Sequence, residues 1–177
     1  MAKIFDTISS QIIKSNPYWS YRLDTYIMPN GEPCDYHFVK SHGSVFIIPI
    51  ADNGSFYLTS QYRYLNKKQS IEFPGGGVNP NYSIRDNAEK ELAEELGLKA
   101  NQLTEIGNYN PCNGLTDEIC TVFVARGLEL IEASPDESEQ IEVITMTKIE
   151  INNAIKTKEI WDGMTLAAWS LYNIIME

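Results

Sequence analysis

Lys90-Glu91-Leu92-Ala93-Glu94-Glu95-Leu96-Gly97-Leu98, preceded by Pro74-Gly75-Gly76-Gly77, sets two glutamates four residues apart just after a glycine run. On a helix Glu91 and Glu95 share one face, and Glu94 lies close to both. Like charges at that spacing cost about 0.2–0.5 kcal/mol per pair. A hard cation between them reverses the sign, and oxygen-only donors suit Mg²⁺ or Mn²⁺ better than zinc. The glycines let the backbone approach such an ion and offer it a carbonyl. The same residues also suit a solvated acidic face, with Lys90–Glu94 and Asp86–Lys90 as ordinary i,i+4 ion pairs.

Outward from this stretch the helix signals agree. Ser83 is a natural N-cap, with Asp86 three residues on as a weaker capping box. Ala88, Leu92 and Leu96 recur every fourth residue and face a core, and Gly97 stops the helix. Upstream, strands are expected at Tyr18–Met28, Tyr36–Lys40 and Ser44–Ile50. Asp52-Asn53-Gly54 reads as a hairpin turn into Phe56–Tyr64, and Ile71–Phe73 is a last short strand. Downstream come strands at Leu103–Tyr109, Ile119–Ala125 and Ile141–Thr147, then helices at Lys148–Lys156 and Met164–Ile175. This order predicts an α/β fold, a mixed sheet flanked by helices, in one domain.

The chain has 177 residues, ample for a real core without disulfide or metal staples. Fourteen Lys+Arg against 24 Asp+Glu give a net charge of −10, which argues against general nucleic-acid or membrane-surface binding. Cys34, Cys112 and Cys120 show no C-x-x-C spacing, so a disulfide framework or structural zinc is not expected and a reducing compartment suits the chain. Residues 1–13 lack the apolar core of a signal peptide, and no stretch approaches the roughly 20 residues of a membrane span. A cytoplasmic protein is the expectation.

The chain resembles a Nudix hydrolase. That family's box reads G-x5-E-x7-R-E-U-x-E-E-x-G-U, with U aliphatic. Gly76 takes the first position, and Glu91 to Leu98 match its end in full. Tyr82 stands in place of the early Glu and Lys90 in place of the Arg. In the family those two commonly bond to each other and brace the loop, so a structural pair is lost here. Gln61-Tyr62-Arg63, Ile71 to Gly77, Asn110 to Glu118 and Trp161 to Leu166 further resemble the ADP-ribose pyrophosphatase branch, in the right order.

The resemblance implies an α/β/α sandwich with a mixed central sheet. It implies a single domain over residues 1–177, with the box at about 76–98 and an N-terminal β region at about 1–42 used for homodimerisation. It implies metal-dependent hydrolysis of a nucleoside diphosphate sugar, ADP-ribose foremost, to AMP and a sugar phosphate. GDP-mannose or another sugar nucleotide is the alternative substrate, and a non-catalytic nucleotide-sugar binding module the alternative class. Glu91, Glu95 and the Gly75 carbonyl would hold Mg²⁺ (or Mn²⁺), with Glu94 behind these ligands or sharing a further ion, and Glu95 and Glu94 would be catalytic together with Glu139. Glu139, ahead of Glu137, would be the base or a further ligand. Arg63 suits a diphosphate clamp, or a structural ion pair with Glu72. Glu118 would line the substrate site, or cap its loop.

Overall fold

Val45 and Ile47 side one way along their strand and Phe46 and Ile48 the other, and all four are buried. A strand covered on both faces belongs at the middle of a layered fold. The computed structural model describes residues 5–131 and 141–176. In chain order the elements are β1 (Thr7–Ser15), β2 (Trp19–Ile27), β3 (Pro33–Ser41), β4 (Ser44–Pro49), β5 (Phe56–Arg63), β6 (Lys68–Glu72), β7 (Gly75–Gly77), α1 (Ile84–Leu96), β8 (Leu98–Tyr109), β9 (Cys120–Leu130), β10 (Ile141–Met146), α2 (Lys148–Thr157) and α3 (Gly163–Ile175). They fall into two compact units, Met1–Gly43 with Asn110–Ile119, and Ser44–Tyr109 with Cys120–Glu177.

The second unit carries the mixed sheet, in the order β7-β4-β9-β8, with β4 and β9 parallel and the outer pairs antiparallel. One face, through Val45, Ile47, Phe123 and Ala125, packs on Ala88, Leu92 and Leu96 of α1. The other, through Phe46, Ile48, Val122 and Val124, packs on Ile151 and Ala154 of α2 and on Ala168, Trp169 and Tyr172 of α3. Helices on both faces of a mixed sheet give the expected α/β/α layering. Each fully buried aliphatic or aromatic side chain here contributes roughly 1.5–3 kcal/mol. A second sheet, β10-β5-β6, is antiparallel throughout.

Helix α1 begins as the sequence predicts. Ser83 Oγ accepts from the Asp86 N–H at 3.0 Å, and the Asp86 carboxylate accepts from the Ser83 N–H at 3.3 Å. Gly97 closes the helix with φ +61°, a conformation glycine adopts without a Cβ penalty. Because Asp86 serves the cap, no Asp86–Lys90 pair forms; Lys90 instead bonds Glu94.

The first unit is an antiparallel sheet, β1-β2-β3. Residues 110–119 fasten to it: the Val39 N–H donates to Leu115 O at 2.9 Å, and the Tyr36 hydroxyl to Gly114 O at 3.0 Å. β1 has no counterpart among the expected strands. All nine of its residues are exposed, so no buried face prints an alternating pattern into the sequence. The Asp52-Asn53-Gly54 turn is present, with Ile50 bridging Phe56, but it is not a sheet hairpin. Its arms part into different sheets: β4 pairs with β7 and β9, β5 with β6 and β10. Strands β3, β8 and β9 run longer than anticipated. No helix among the described residues is long and apolar enough to cross a membrane.

Candidate active site

The glycine run becomes β7, an edge strand laid antiparallel on β4, with Gly75 opposite Phe46 and Gly76 opposite Val45. Each glycine is required for a different reason. A Cβ at Gly75 would stand 2.3 Å from the Val45 carbonyl oxygen and 3.0 Å from Phe46 Cα, both backbone atoms. A Cβ at Gly76 would stand 2.7 Å from Cδ and both carboxylate oxygens of Glu91. The carboxylate of Glu91 therefore lies directly against the glycine backbone. Loop and helix, joined by sequence only as a motif, meet in space at this point.

Glu91, Glu94 and Glu95 are all partly buried, and Glu95 Oε2 is fully enclosed. Hydrogen bonding to Glu72 holds the Arg63 guanidinium above its ordinary pKa against the opposing effect of burial, with smaller help from the charges of Asp162, the N-cap of α3, and Glu95. Arg63 Nε donates to Glu72 Oε1 at 2.8 Å, and Nη2 bonds Oε2, so the pair is bidentate. Glu72 is 2% exposed and Arg63 43%. Arg63 thus makes the structural pair the sequence allowed, within electrostatic reach of Glu95 of α1. The Phe73 N–H donates to Thr165 Oγ1 at 3.2 Å, which ties the start of α3 to the strand end leading into Pro74-Gly75. Thr165 lies in the Trp161 to Leu166 stretch of the resemblance, but a threonine three residues after the Asp162 cap does not by itself signal this contact.

Lys90 Nζ bonds Glu94 Oε2 at 2.5 Å, and that bond raises the lysine's pKa. Glu94 is thus paired with a cation of its own helix. Glu118 belongs to the other unit, where its N–H donates to Thr116 Oγ1 and its carbonyl accepts from Asn110 Nδ2 at 2.9 Å. That unit also holds a cavity of about 450 Å³ lined by Tyr36, Phe38, Asn110, Asn113, Leu115, Thr116 and Asp117. Glu139 and Glu137 lie outside the described residues.

Among the described residues no three His, Cys, Asp or Glu side chains converge as a complete metal cage. What is present fits part of one. Carboxylate oxygens are donors of the kind that suit a hard divalent cation, and the Glu91 carboxylate occupies the space a side chain at Gly76 would fill.

The two glycines predict opposite outcomes. Gly76→Ala displaces only the end of a flexible side chain, so stability changes by under about 1 kcal/mol while Mn²⁺ affinity falls ~10-fold or more. Gly75→Ala collides with backbone of the neighbouring strand and costs about 1–3 kcal/mol. Thermal denaturation and Mn²⁺ titration of both variants check this; a Gly76→Ala protein that binds Mn²⁺ as the wild type does would remove Glu91 from the site.

Residues 40–165 match the NUDIX domain family. The chain belongs to that family. This Nudix protein is 31% identical over 172 residues to a methanol dehydrogenase activator of Bacillus methanolicus, across 95% of this chain and 93% of that one. It is 29% identical over 164 residues to an ADP-ribose pyrophosphatase of Bacillus subtilis (strain 168), across 92% of this chain and 89% of that one. A crystal structure of an ADP compounds hydrolase superposes with a TM-score of 0.84, over 98% of this chain and 94% of that one. At 18% identity that likeness speaks for the fold.

Proposed function

We propose that this Nudix pyrophosphatase hydrolyses the diphosphate linkage of a nucleoside diphosphate sugar, ADP-ribose foremost, to AMP and ribose 5-phosphate, with Mg²⁺ or Mn²⁺. The observation that carries this is the Glu91 carboxylate set against the Gly76 backbone, one helical turn from Glu95. Family membership and the pyrophosphatase relatives support the reaction class.

Glu91, Glu95 and the Gly75 carbonyl would hold the cation. When bound, it supplies charge neutralisation and a lowered pKa for attacking water. Glu94, paired with Lys90, is the helix's remaining carboxylate near the reacting centre. Glu139 is our candidate base, taking the water's proton as the new P–O bond forms and the bridging P–O bond breaks. Arg63 keeps its Nη1 edge for a diphosphate oxygen while Nε and Nη2 hold Glu72. Glu118 is proposed to line the sugar or base. The domain spans the chain, with residues 1–42 forming the dimer surface. β1 supports this, since Ile8, Ile12 and Ile13 stand exposed on it, with Tyr18 and Trp19 beyond. Three free cysteines suit a cytoplasmic setting.

Formation of nucleoside monophosphate and sugar phosphate from a panel of nucleoside diphosphate sugars, with Mg²⁺, Mn²⁺ or EDTA and read by phosphate release in a subsequent phosphatase step, tests the proposal. ADP-ribose turnover abolished by EDTA is expected. Preference for GDP-mannose moves the substrate only, whereas tight binding without turnover of any diphosphate makes the chain a binding module. A second reading rests on the relative from Bacillus methanolicus, namely action on a methanol dehydrogenase. A purified dehydrogenase whose rate rises equally with wild type and Glu95→Gln would establish that reading as one of contact rather than hydrolysis.

A further inference from the structure

Asn87 is 2% exposed, although its amide is among the side chains most at home in water. Burial of such a group is tolerated only when its hydrogen bonds are made. Here they run to one place. Its Oδ1 accepts from the Asn79 N–H at 2.8 Å, and its Nδ2 donates to Ser83 O at 2.8 Å and Asn79 O at 3.2 Å, with Tyr82 O at 3.4 Å. An amide has two donor hydrogens, so the three carbonyls share them and the Tyr82 contact is the weakest. The segment it grips is itself closed: the Tyr82 N–H donates to Asn79 O at 3.1 Å, and the Asn81 N–H to Asn79 Oδ1 at 3.0 Å.

Asn87, Glu91 and Glu95 are successive fourth residues, hence one ridge of α1. At one end of the connection from β7 to α1, Gly76 abuts Glu91. At the other end, Asn87 fastens the connection to the same ridge one turn earlier. Residues 78–83 carry no Asp, Glu, Lys or Arg, so no such ion pair joins them to α1, and Lys90 bonds Glu94 instead. Tyr82 and Lys90 nonetheless lie within electrostatic reach of each other.

We infer that Asn87 is the positioning residue of this site: its side chain locks the 79–83 segment onto α1, so that the glycine backbone and Glu91 meet in register to receive a divalent cation. The inference rests on the metal-dependent reading above. Outer partners that orient metal ligands are commonly worth 10–100-fold in affinity or rate.

The test compares wild type with Asn87→Ala, Asn87→Asp and the triple variant Asn87→Ala/Tyr82→Glu/Lys90→Arg. It measures Mn²⁺ affinity by titration calorimetry, kcat and KM for ADP-ribose, and the melting temperature. Asn87→Ala is expected to weaken Mn²⁺ binding ~10-fold and lower kcat ~30-fold, with KM within about 3-fold. Asn87→Asp keeps the acceptor for the Asn79 N–H but loses both donors and turns an unpaired carboxylate oxygen onto the carbonyls of Asn79 and Ser83, so it should bind Mn²⁺ no better than Asn87→Ala. The triple variant sets a carboxylate at position 82 against a guanidinium at position 90, an ion pair across the same junction, and should recover most of the Mn²⁺ affinity. Unchanged Mn²⁺ affinity and kcat in Asn87→Ala, with only the melting temperature lowered, would overturn the inference and leave a structural amide. If Asn87→Ala does not fold, Asn87→Ser, which keeps one hydroxyl without adding charge, decides by the same criteria. A wild type that binds Mn²⁺ but hydrolyses no diphosphate would sink the proposed activity alone, and the Mn²⁺ series would still judge Asn87.

Discussion

Glu91→Gln and Glu95→Gln are each expected to lower kcat/KM for ADP-ribose by about 10³-fold or more, with melting temperatures nearly unchanged. Glutamine keeps the shape and removes the charge, so the cation loses an anionic oxygen while the helix keeps its packing. The change relieves the i,i+4 repulsion of about 0.2–0.5 kcal/mol but at Glu95 gives up the attraction to Arg63, so the net shift in stability is small. Glu94→Gln should behave differently. Its carboxylate faces Lys90 at 2.5 Å, on a half-exposed pair, so the variant loses at most about 0.5 kcal/mol of stability and much less Mn²⁺ affinity. The three variants therefore rank Glu91 and Glu95 together, well ahead of Glu94. Steady-state rates with Mn²⁺ titration measure this, and a series in which Glu94→Gln costs most would show that the ion sits on the other side of the helix ridge.

How much of this site was legible in the sequence depends on which physical signal each residue leaves. Ala88, Leu92 and Leu96 announce the helix because a buried stripe must repeat with the helical period. Ser83 and Asp86 announce its start because a cap needs an oxygen at a fixed offset. β4 and β9 read as strands because both of their faces are buried. β1 leaves no such trace, since neither of its faces is covered. The Asp52-Asn53-Gly54 turn fixes a local reversal but cannot say that β5 will pair with β10, more than seventy residues away. Asn87 escapes a reading of the sequence because an amide next to charged residues looks solvent-facing. Its clue is position: it continues the 91–95 ridge by one turn. The burial of Glu72 is equally hidden, although its partner Arg63 is visible as an ion-pair candidate on a nearby strand.

That pair leads to the largest expected effect on stability, and to an asymmetry. Arg63→Ala removes the partner of a carboxylate that is 2% exposed, and an uncompensated buried charge costs about 3–5 kcal/mol. Glu72→Gln removes the charge from the buried side instead. The guanidinium left behind is 43% exposed and can turn to water, so that variant should lose only about 1–2 kcal/mol. The double variant Arg63→Met/Glu72→Gln carries no buried charge and should recover most of what Arg63→Ala loses, because isolating an ion costs more than omitting the pair. Denaturant unfolding of the four proteins measures this ranking. Activity need not follow stability through the series. Arg63 sits where the charges of Glu95 and Asp162 reach it, so both variants lacking it should lose turnover even where the fold is restored. A double variant that regains full activity with its stability would make Arg63 purely a support for Glu72, and the diphosphate clamp would have to be sought elsewhere.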